Sequence, residues 1–383
     1  MMIAHITDTH LGYRQYNLEE REEDIYRLFN EAVEKILREK PDIVVHTGDL
    51  FDQPRPPVRA LLVAYNGFKK LVDKGIRVYG ILGDHDSPKR RSTPPHKLLE
   101  ELGVIRVVGF NPFQEKPYME LDVNGRKVLL AGTRSLPKKY SANLIGILGK
   151  LGEVAKKYHR SILMLHQGIK EHFPFSYELE LKNLPEGFNY YALGHIHMRT
   201  WFRYKTGIVG YAGSIDIIRI DEWEDYQRNG KGFYLVDLSH DKPVVHKVDL
   251  EGVRKHIILE TDYQLLEEEL RKLSQRIGVE ELKPILHLTV RGKRINKANV
   301  HRLLLRVLQN KVLSWRLRFE EEGTPPPPSI VKGLEKIDVR ELLKRSLGDE
   351  EEAELAYRLL ELLGEGDTRA ALELTKKYYE EKW

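Results

Sequence analysis

The chain has 383 residues, enough for two or three domains with a substantial core, and its 41% hydrophobic and 31% charged residues describe a folded protein rather than a disordered one. It contains no cysteine, which excludes disulfides and thiolate metal ligands and leaves imidazole and carboxylate, a set suited to manganese, iron or zinc. The net charge of +4 is unevenly spread: residues 252–322 carry +5, compatible with an anionic partner, and residues 330–383 carry −4.

Met2 to Ile6 reads as a buried strand, entered too early for a cleavable signal to precede it. No apolar run approaches the roughly 18 residues of a membrane span, so a cytoplasmic, nucleoid-associated protein with no membrane partner is expected. Leu18 to Glu39 has helical spacing, with Ile25, Leu28, Phe29, Ala32, Val33 and Ile36 on one face, and Pro41 stops it ahead of a second strand, Ile43 to His46. A helix follows Pro56-Pro57 within Pro54 to Gly75, then a strand at Arg77 to Leu82 and a shorter helix at Pro95 to Gly103. This alternation predicts a mostly parallel α/β unit. Between Pro117 and Thr133, and from Tyr204 to Val248, the pattern changes to short strands with turns at Asn124-Gly125 and Asn229-Gly230. Further buried strands are expected at Ile162 to Leu165 and Tyr190 to Leu193. The fold class is therefore α/β, a two-sheet sandwich flanked by helices, over residues 1–251.

Residues 252–322 show a strand, helix, strand, helix, strand pattern that predicts a separate small α/β domain. Gly323 to Ser329 is an uncharged, proline-rich run suited to an extended spacer. The tail, 330–383, reads as helices: Asp338 with Glu341 and Asp349 with Glu352 have capping-box spacing, and Asp367 can cap a third. Val339, Leu343, Leu355, Leu359, Leu360, Leu363 and Leu374 supply more apolar surface than so short a segment buries alone, which implies a partner.

Five of the apolar strands each end in a polar cluster: Asp8-Thr9-His10, Gly48-Asp49, Gly83-Asp84-His85-Asp86, His166-Gln167-Gly168 and Gly194-His195-Ile196-His197. One such cluster would carry no weight; the recurrence does. In α/β sheets ligands bind beyond the strands' carboxyl ends, and a neighbouring glycine lets the chain turn sharply there. Seven metal-competent side chains would thus meet at one rim: Asp8, His10, Asp49, Asp84, His166, His195 and His197. His5 and His46 lie inside strands and read as core or supporting residues. The remaining histidines outside the clusters, His96 and His172 among them, lack companions and read as surface or structural.

In this order the clusters resemble those of the calcineurin-like metallophosphoesterases. Within that superfamily Asp8-Thr9-His10-Leu11-Gly12-Tyr13, Gly48-Asp49-Leu50-Phe51, His166-Gln167-Gly168 and Tyr191 to His197 resemble the archaeal Mre11/SbcD double-strand-break repair nucleases, over essentially the whole chain. The resemblance implies two Mn2+ ions per subunit, bridged by Asp49. Asp8, His10 and His197 would complete one shell and Asp84, His166 and His195 the other, polarising a phosphodiester and acidifying the water that attacks it. His85, next to a ligand, is expected over the phosphate, stabilising the oxyanion or protonating the leaving oxygen.

The same resemblance implies a DNA nuclease, a double-strand 3'-5' exonuclease and single-strand endonuclease. It implies a capping, DNA-binding domain at 252–322 and a Rad50-type, SMC-like ABC ATPase bound by 330–383. Helices near 56–75 and 95–103 would form a homodimer, although Leu61, Leu62, Tyr65, Phe68 and Leu71 also suit packing on their own sheet. Arg55, Lys89 and Arg90 fall where a phosphate backbone would run, or on a solvated loop. Tyr13 and Tyr177 fit a sugar or base contact, or core packing. Two positions depart from the family: Asp84 stands where Asn is usual, lowering the formal charge of the loaded site from +2 to +1, and Asp52 stands where His is frequent. Asp52 either pairs with His85 and keeps it cationic or faces solvent. A weakly catalytic DNA-tethering scaffold and a phosphodiesterase or phosphatase for small substrates are the other readings of the chain.

Overall fold

The computed structural model describes residues 1–88, 92–114, 116–173, 177–240, 242–277, 282–321, 339–364 and 368–382. Lys89, Arg90, the 323–329 spacer and the expected caps Asp338 and Asp367 lie outside the described residues. The chain divides into two compact units, Met1–Gly252 with Lys336–Trp383, and Val253–Glu335.

The first unit opens with β1 (Met2–Ile6), α1 (Glu19–Glu39), β2 (Ile43–His46), α2 (Val58–Asp73), β3 (Arg77–Gly80), α3 (Pro95–Glu101) and β4 (Arg106–Val107). It continues with β5 (Tyr118–Val123), β6 (Arg126–Gly132), α4 (Ser141–Ala155), β7 (Arg160–His166), β8 (Tyr190–Gly194), β9 (Thr200–Tyr204), β10 (Gly207–Tyr211), α5 (Trp223–Asn229), β11 (Gly232–Asp237) and β12 (Val244–Asp249). These strands form two six-stranded sheets, ordered β12-β11-β1-β2-β3-β4 and β5-β6-β7-β8-β10-β9. From β1 through β4, and from β6 through β8 to β10, neighbours run parallel; β11 and β12 in the first sheet and β5 and β9 in the second pair antiparallel.

Successive residues of β7 face different cores. Ile162 and Met164 pack between the sheets with Ile3, Ile43, Val45 and Ile81. Leu163 and Leu165 pack on the outer face with Leu144, Leu148 and Leu151 of α4. Burial on both faces is why these strands read as continuous apolar runs. On the other flank α1 buries the expected stripe of Ile25, Leu28, Phe29, Ala32, Val33 and Ile36. Gly67 lets α2 come close to it, since a Cβ there would lie 2.5 Å from the Phe29 ring. On α2, Phe68 and Leu71 are buried while Val58 and Leu62 are exposed, as are Leu98 and Leu102 at α3.

The Asn124-Gly125 pair makes the expected two-residue hairpin turn, with φ of 55° and 76°. Asn229-Gly230 does not: Asn229 closes α5, and Gly230, at φ 68°, is the residue on which the helix ends. Asn-Gly supplies a left-handed position equally well to a hairpin and to a helix terminus, so the pair alone does not distinguish them. The turn between β9 and β10 falls instead after Tyr204, with Lys205 at φ 52°.

The second unit has β13 (His256–Asp262), α6 (Leu266–Arg276), β14 (Ile285–Gly292), α7 (Lys297–Leu308) and β15 (Ser314–Glu321). Its strands are all parallel with β14 central, over a core that includes Leu270, Leu286, Leu288, Val290 and Leu304. The tail forms α8 (Val339–Leu347), α9 (Glu350–Gly364) and α10 (Thr368–Lys382). Asp349 caps α9, its carboxylate accepting from the Glu351 and Glu352 amides at 2.9 Å. Leu347, Leu360, Leu363 and Leu372 remain exposed. Among the described residues no helix is long and apolar enough to cross a membrane.

Candidate metal centre

The seven predicted side chains meet at the carboxyl ends of β1, β2, β7 and β8 and just beyond β3. The turns there are sharp: Asp8, His10, Asp49 and His195 adopt φ of 48°, 43°, 52° and 87°. Non-glycine residues pay a steric cost in that region, and such strain persists where the surroundings over-determine it. Here they do. The Asp8 and His10 amides donate to the Gly48 and Asp49 carbonyls at 3.0 Å, running the first two loops side by side. The Asp8 carboxylate accepts from the His195 amide at 3.1 Å, and Asp49 Oδ1 from the His85 amide at 3.0 Å. Gly83 lets the second and third loops touch, because a Cβ there would fall 1.9 Å from Asp49 Oδ1.

Five overlapping three-residue groups result among the described residues, each with ligand atoms within 4.8 Å of one another; two of them are the expected sets, Asp8, His10 and His197, and Asp84, His166 and His195, and the others bring in Asp49, Asp52 and His85. Asp49 joins the two expected sets, its Oδ2 lying 3.8 Å from His10 Nε2 and 3.3 Å from His166 Nε2. His10 Nε2 and His197 Nε2 face each other at 3.1 Å. With a proton on one of the two nitrogens this is a hydrogen bond, and with a lone pair on each the gap suits a cation shared between them. With only carboxylate oxygen and imidazole nitrogen on offer, the donor set fits divalent cations of the manganese, iron or zinc type.

Electrostatics agree. Burial opposes charge on His10, yet Asp52, Asp49 and Asp8 outweigh it and raise the imidazole to about 9. His166 is raised well above its ordinary value, by Asp49 and Asp84 against the effect of burial, and His195 is raised by Asp84 against the same effect. Burial pushes Asp49 up, but His166 and His10 bring it down to about 2. Asp84 is held well below the carboxylate range by His166 and His195 despite its desolvation. Protons are thus favoured at positions a cation would take, and loading would release them.

The ring nitrogens of His166 and His197 turned away from the centre are braced. His166 Nδ1 donates to the Thr47 carbonyl at 2.8 Å. His197 Nδ1 meets Glu222 Oε1 at 2.8 Å, and Glu222 is itself paired with the buried Lys231. Burial opposes ionisation of Glu222, but Lys231 and His197 outweigh it and keep its pKa low. Sequence reasoning missed this pair, because Glu222 lies 25 residues beyond His197 in no recognisable motif. Asp86 was visible in its cluster but had no assigned role; fully buried, it accepts from the Leu50, Phe51 and Gly83 amides and locks the second loop to the third.

His85 lies beside both groups, its ring edge-on to His10 at 4.8 Å. Its Nδ1 donates to the Asp52 backbone carbonyl at 2.8 Å, so neither sequence reading of Asp52 is complete. The Asp52 carboxylate stands between His10 Nδ1, at 3.5 Å, and His85 Nδ1, at 3.8 Å. Tyr13 is half-buried, its hydroxyl 3.5 Å from the Ile218 carbonyl, and burial raises its pKa. Tyr177 carries the Lys138 ammonium 4.1 Å and the Lys170 ammonium 5.3 Å from its ring centre. Arg55 is exposed on the loop before α2. His5 and His46 are buried and neutral, desolvation taking His5 to about 3 and His46 well below its ordinary value. His5 bonds to Tyr190 and to the Thr47 hydroxyl, beneath the carbonyl that braces His166.

Residues 1–199 match the model of the calcineurin-like phosphoesterase family. The DNA double-strand break repair protein Mre11 of Saccharolobus solfataricus is 37% identical over 374 residues, covering 94% of each chain. That of Methanocaldococcus jannaschii is 44% identical over 255 residues, covering 66% of this chain and 67% of its own. That of Sulfolobus acidocaldarius is 32% identical, covering 99% of this chain and 98% of its own. With its strand-end Asp and His residues gathered into two cation-sized groups, the chain belongs to the calcineurin-like phosphoesterases and, within them, to the Mre11 family of DNA double-strand break repair proteins.

Proposed function

We propose that this protein is a manganese-dependent DNA nuclease that processes broken ends, as a double-strand 3'-5' exonuclease and a single-strand endonuclease. The observation that carries the reading is the pair of ligand groups joined through Asp49. Asp8, His10 and His197 would hold one ion, Asp84, His166 and His195 the other, with Asp49 shared. Two bound cations supply Lewis acidity toward the phosphoryl oxygens and lower the pKa of the attacking water.

The chain's own residues do the rest. Because a carbonyl only accepts, the Asp52 bond requires a proton on His85 Nδ1 and leaves Nε2 as the nitrogen turned to the substrate. From there it can hand a proton to the leaving oxygen or donate to a phosphoryl oxygen. We assign Arg55, Lys89, Arg90, Tyr13 and Tyr177 to contacts with the nucleic acid backbone and sugars, and the basic 252–322 segment to DNA capping.

The tail, with its exposed leucines and acidic balance, suits docking on a Rad50-type ABC ATPase. The exposed Val58, Leu62, Leu98 and Leu102 suit a homodimer. A soluble, nucleoid-associated location follows from such substrates and partners.

The test is manganese-loaded protein on labelled duplex, single-stranded DNA and a small chromogenic phosphodiester, with His85→Ala alongside. DNA cleavage that disappears in the variant is the expected result. Ester hydrolysis without DNA cleavage would assign a small-substrate phosphodiesterase, and DNA binding without cleavage a tethering scaffold.

A further inference from the structure

His197 is held at two points by groups that bind no substrate. Its Nδ1 lies 2.8 Å from Glu222 Oε1, and its backbone carbonyl accepts from Lys231 Nζ at 2.9 Å. Lys231 also pairs with Glu222 and donates to Ser214 Oγ at 2.7 Å, while the Ser214 amide returns to the His197 carbonyl at 3.1 Å. Glu222 and Lys231 are both buried.

A buried ion pair is a poor way to gain stability: removing it from water costs about as much as the attraction returns, and apolar replacements are often neutral or better. This one, however, constrains a ring. A carboxylate without a proton can only accept, so His197 must carry its hydrogen on Nδ1 and present the lone pair of Nε2 on the side where His10 Nε2 lies, 3.1 Å away.

We propose that Glu222, clamped by Lys231, is the positioning residue of the cation site formed by Asp8, His10 and His197, fixing the tautomer and ring angle of His197. It rests on the metal site of the proposed function but not on the DNA substrate. Glu222 meets His197, whereas in the opposite group His166 is oriented by the Thr47 carbonyl. Loss of the carboxylate therefore weakens one ion and leaves the other.

The experiment is calorimetric and spectroscopic titration of Mn2+ alone into the full chain, with thermal unfolding as the control for folding. Because Glu222→Ala leaves Lys231 buried and unpaired, the decisive comparison is between two variants that both lack the charges. Glu222→Gln/Lys231→Met keeps an acceptor oxygen beside Nδ1, and Glu222→Ala/Lys231→Met does not. The first is expected to bind two ions nearly as wild type does. The second should bind one ion normally and the other about 10- to 100-fold more weakly, the usual effect of losing a residue that orients a ligand. In a His197→Asn background the same Ala substitution should add less than about twofold, since it acts through that ring.

Equal affinities in the two neutral variants would overturn the inference, and so would both ions weakening together as the unfolding temperature falls. A wild-type chain that binds fewer than two Mn2+ would instead remove the metal reading beneath it.

Discussion

The two ligand groups use the same residue types but are built differently. Asp8 and His10 are enclosed, His197 is partly exposed much as His195 is, and behind His197 stands a buried ion pair. In the other group His166 is enclosed, but Asp84 is half-exposed and His195 partly so, and the brace behind His166 is a backbone carbonyl. An enclosed group can be preorganised by charges because no water competes with them. An open group leaves a face for a ligand, and His85 borders both groups, near Asp84 on one side and edge-on to His10 on the other. If the two groups hold the proposed ions, the exposure of Asp84 predicts a division of labour in which the first group sets metal retention and the second meets substrate.

The largest test of that division removes what the halves share. Asp49→Asn takes away a charge that lies near both His10 and His166, so both ions should weaken together and turnover should fall by at least about a thousandfold. Loss of only one ion, read by Mn2+ stoichiometry, would mean that Asp49 belongs to one half. His85→Ala comes next. It should lower DNA turnover by about 10²- to 10³-fold while two ions remain bound at wild-type affinity. A collapse of metal titration in that variant would make His85 a ligand and not a proton donor.

A third test uses pH. His10 must give up a proton before its Nε2 can ligate, and its pKa is raised to about 9 by the carboxylates that outweigh its burial. Below that value the protonated form competes with the ion, and above it the competition ends. Affinity of the enclosed site should therefore fall by about tenfold per pH unit as pH drops from 9 toward 6, with proton uptake and release visible as a dependence of the binding enthalpy on buffer. A flat affinity across that range would show that His10 is already neutral and that the neighbouring carboxylates are not acting on it.

How much of this was legible in the sequence follows from the reach of each signal. Asp8, His10, Asp49, Asp84, His166, His195 and His197 each close an apolar run, so strand periodicity and one rim were enough to gather them. Glu222 and Lys231 were not legible, because their link to His197 spans 25 and 34 residues and depends on how the chain returns after β10. Asp86 was seen and not understood, since its partners Leu50 and Phe51 lie on another loop about 35 residues away. The fate of Asn229-Gly230 turned on whether a helix precedes it, and the short Trp223–Asn229 segment gives too little periodicity to say so.

The smallest effect belongs to the open half. Asp84→Asn keeps an oxygen that can face His166 and His195 but removes one formal charge, leaving Asp8 and Asp49 as the carboxylates of the loaded site. A more positive site acidifies the attacking water and attracts phosphate more strongly, while it holds the ion of the Asp84 group less tightly. The pH at which the rate rises should therefore move down, by up to about one unit, and Mn2+ affinity of that group alone should drop. The sign is the test: if the native carboxylate were ionised but too solvated to be felt, the midpoint would stay where it is, and the half-exposure of Asp84 would have screened the very charge that distinguishes the two halves.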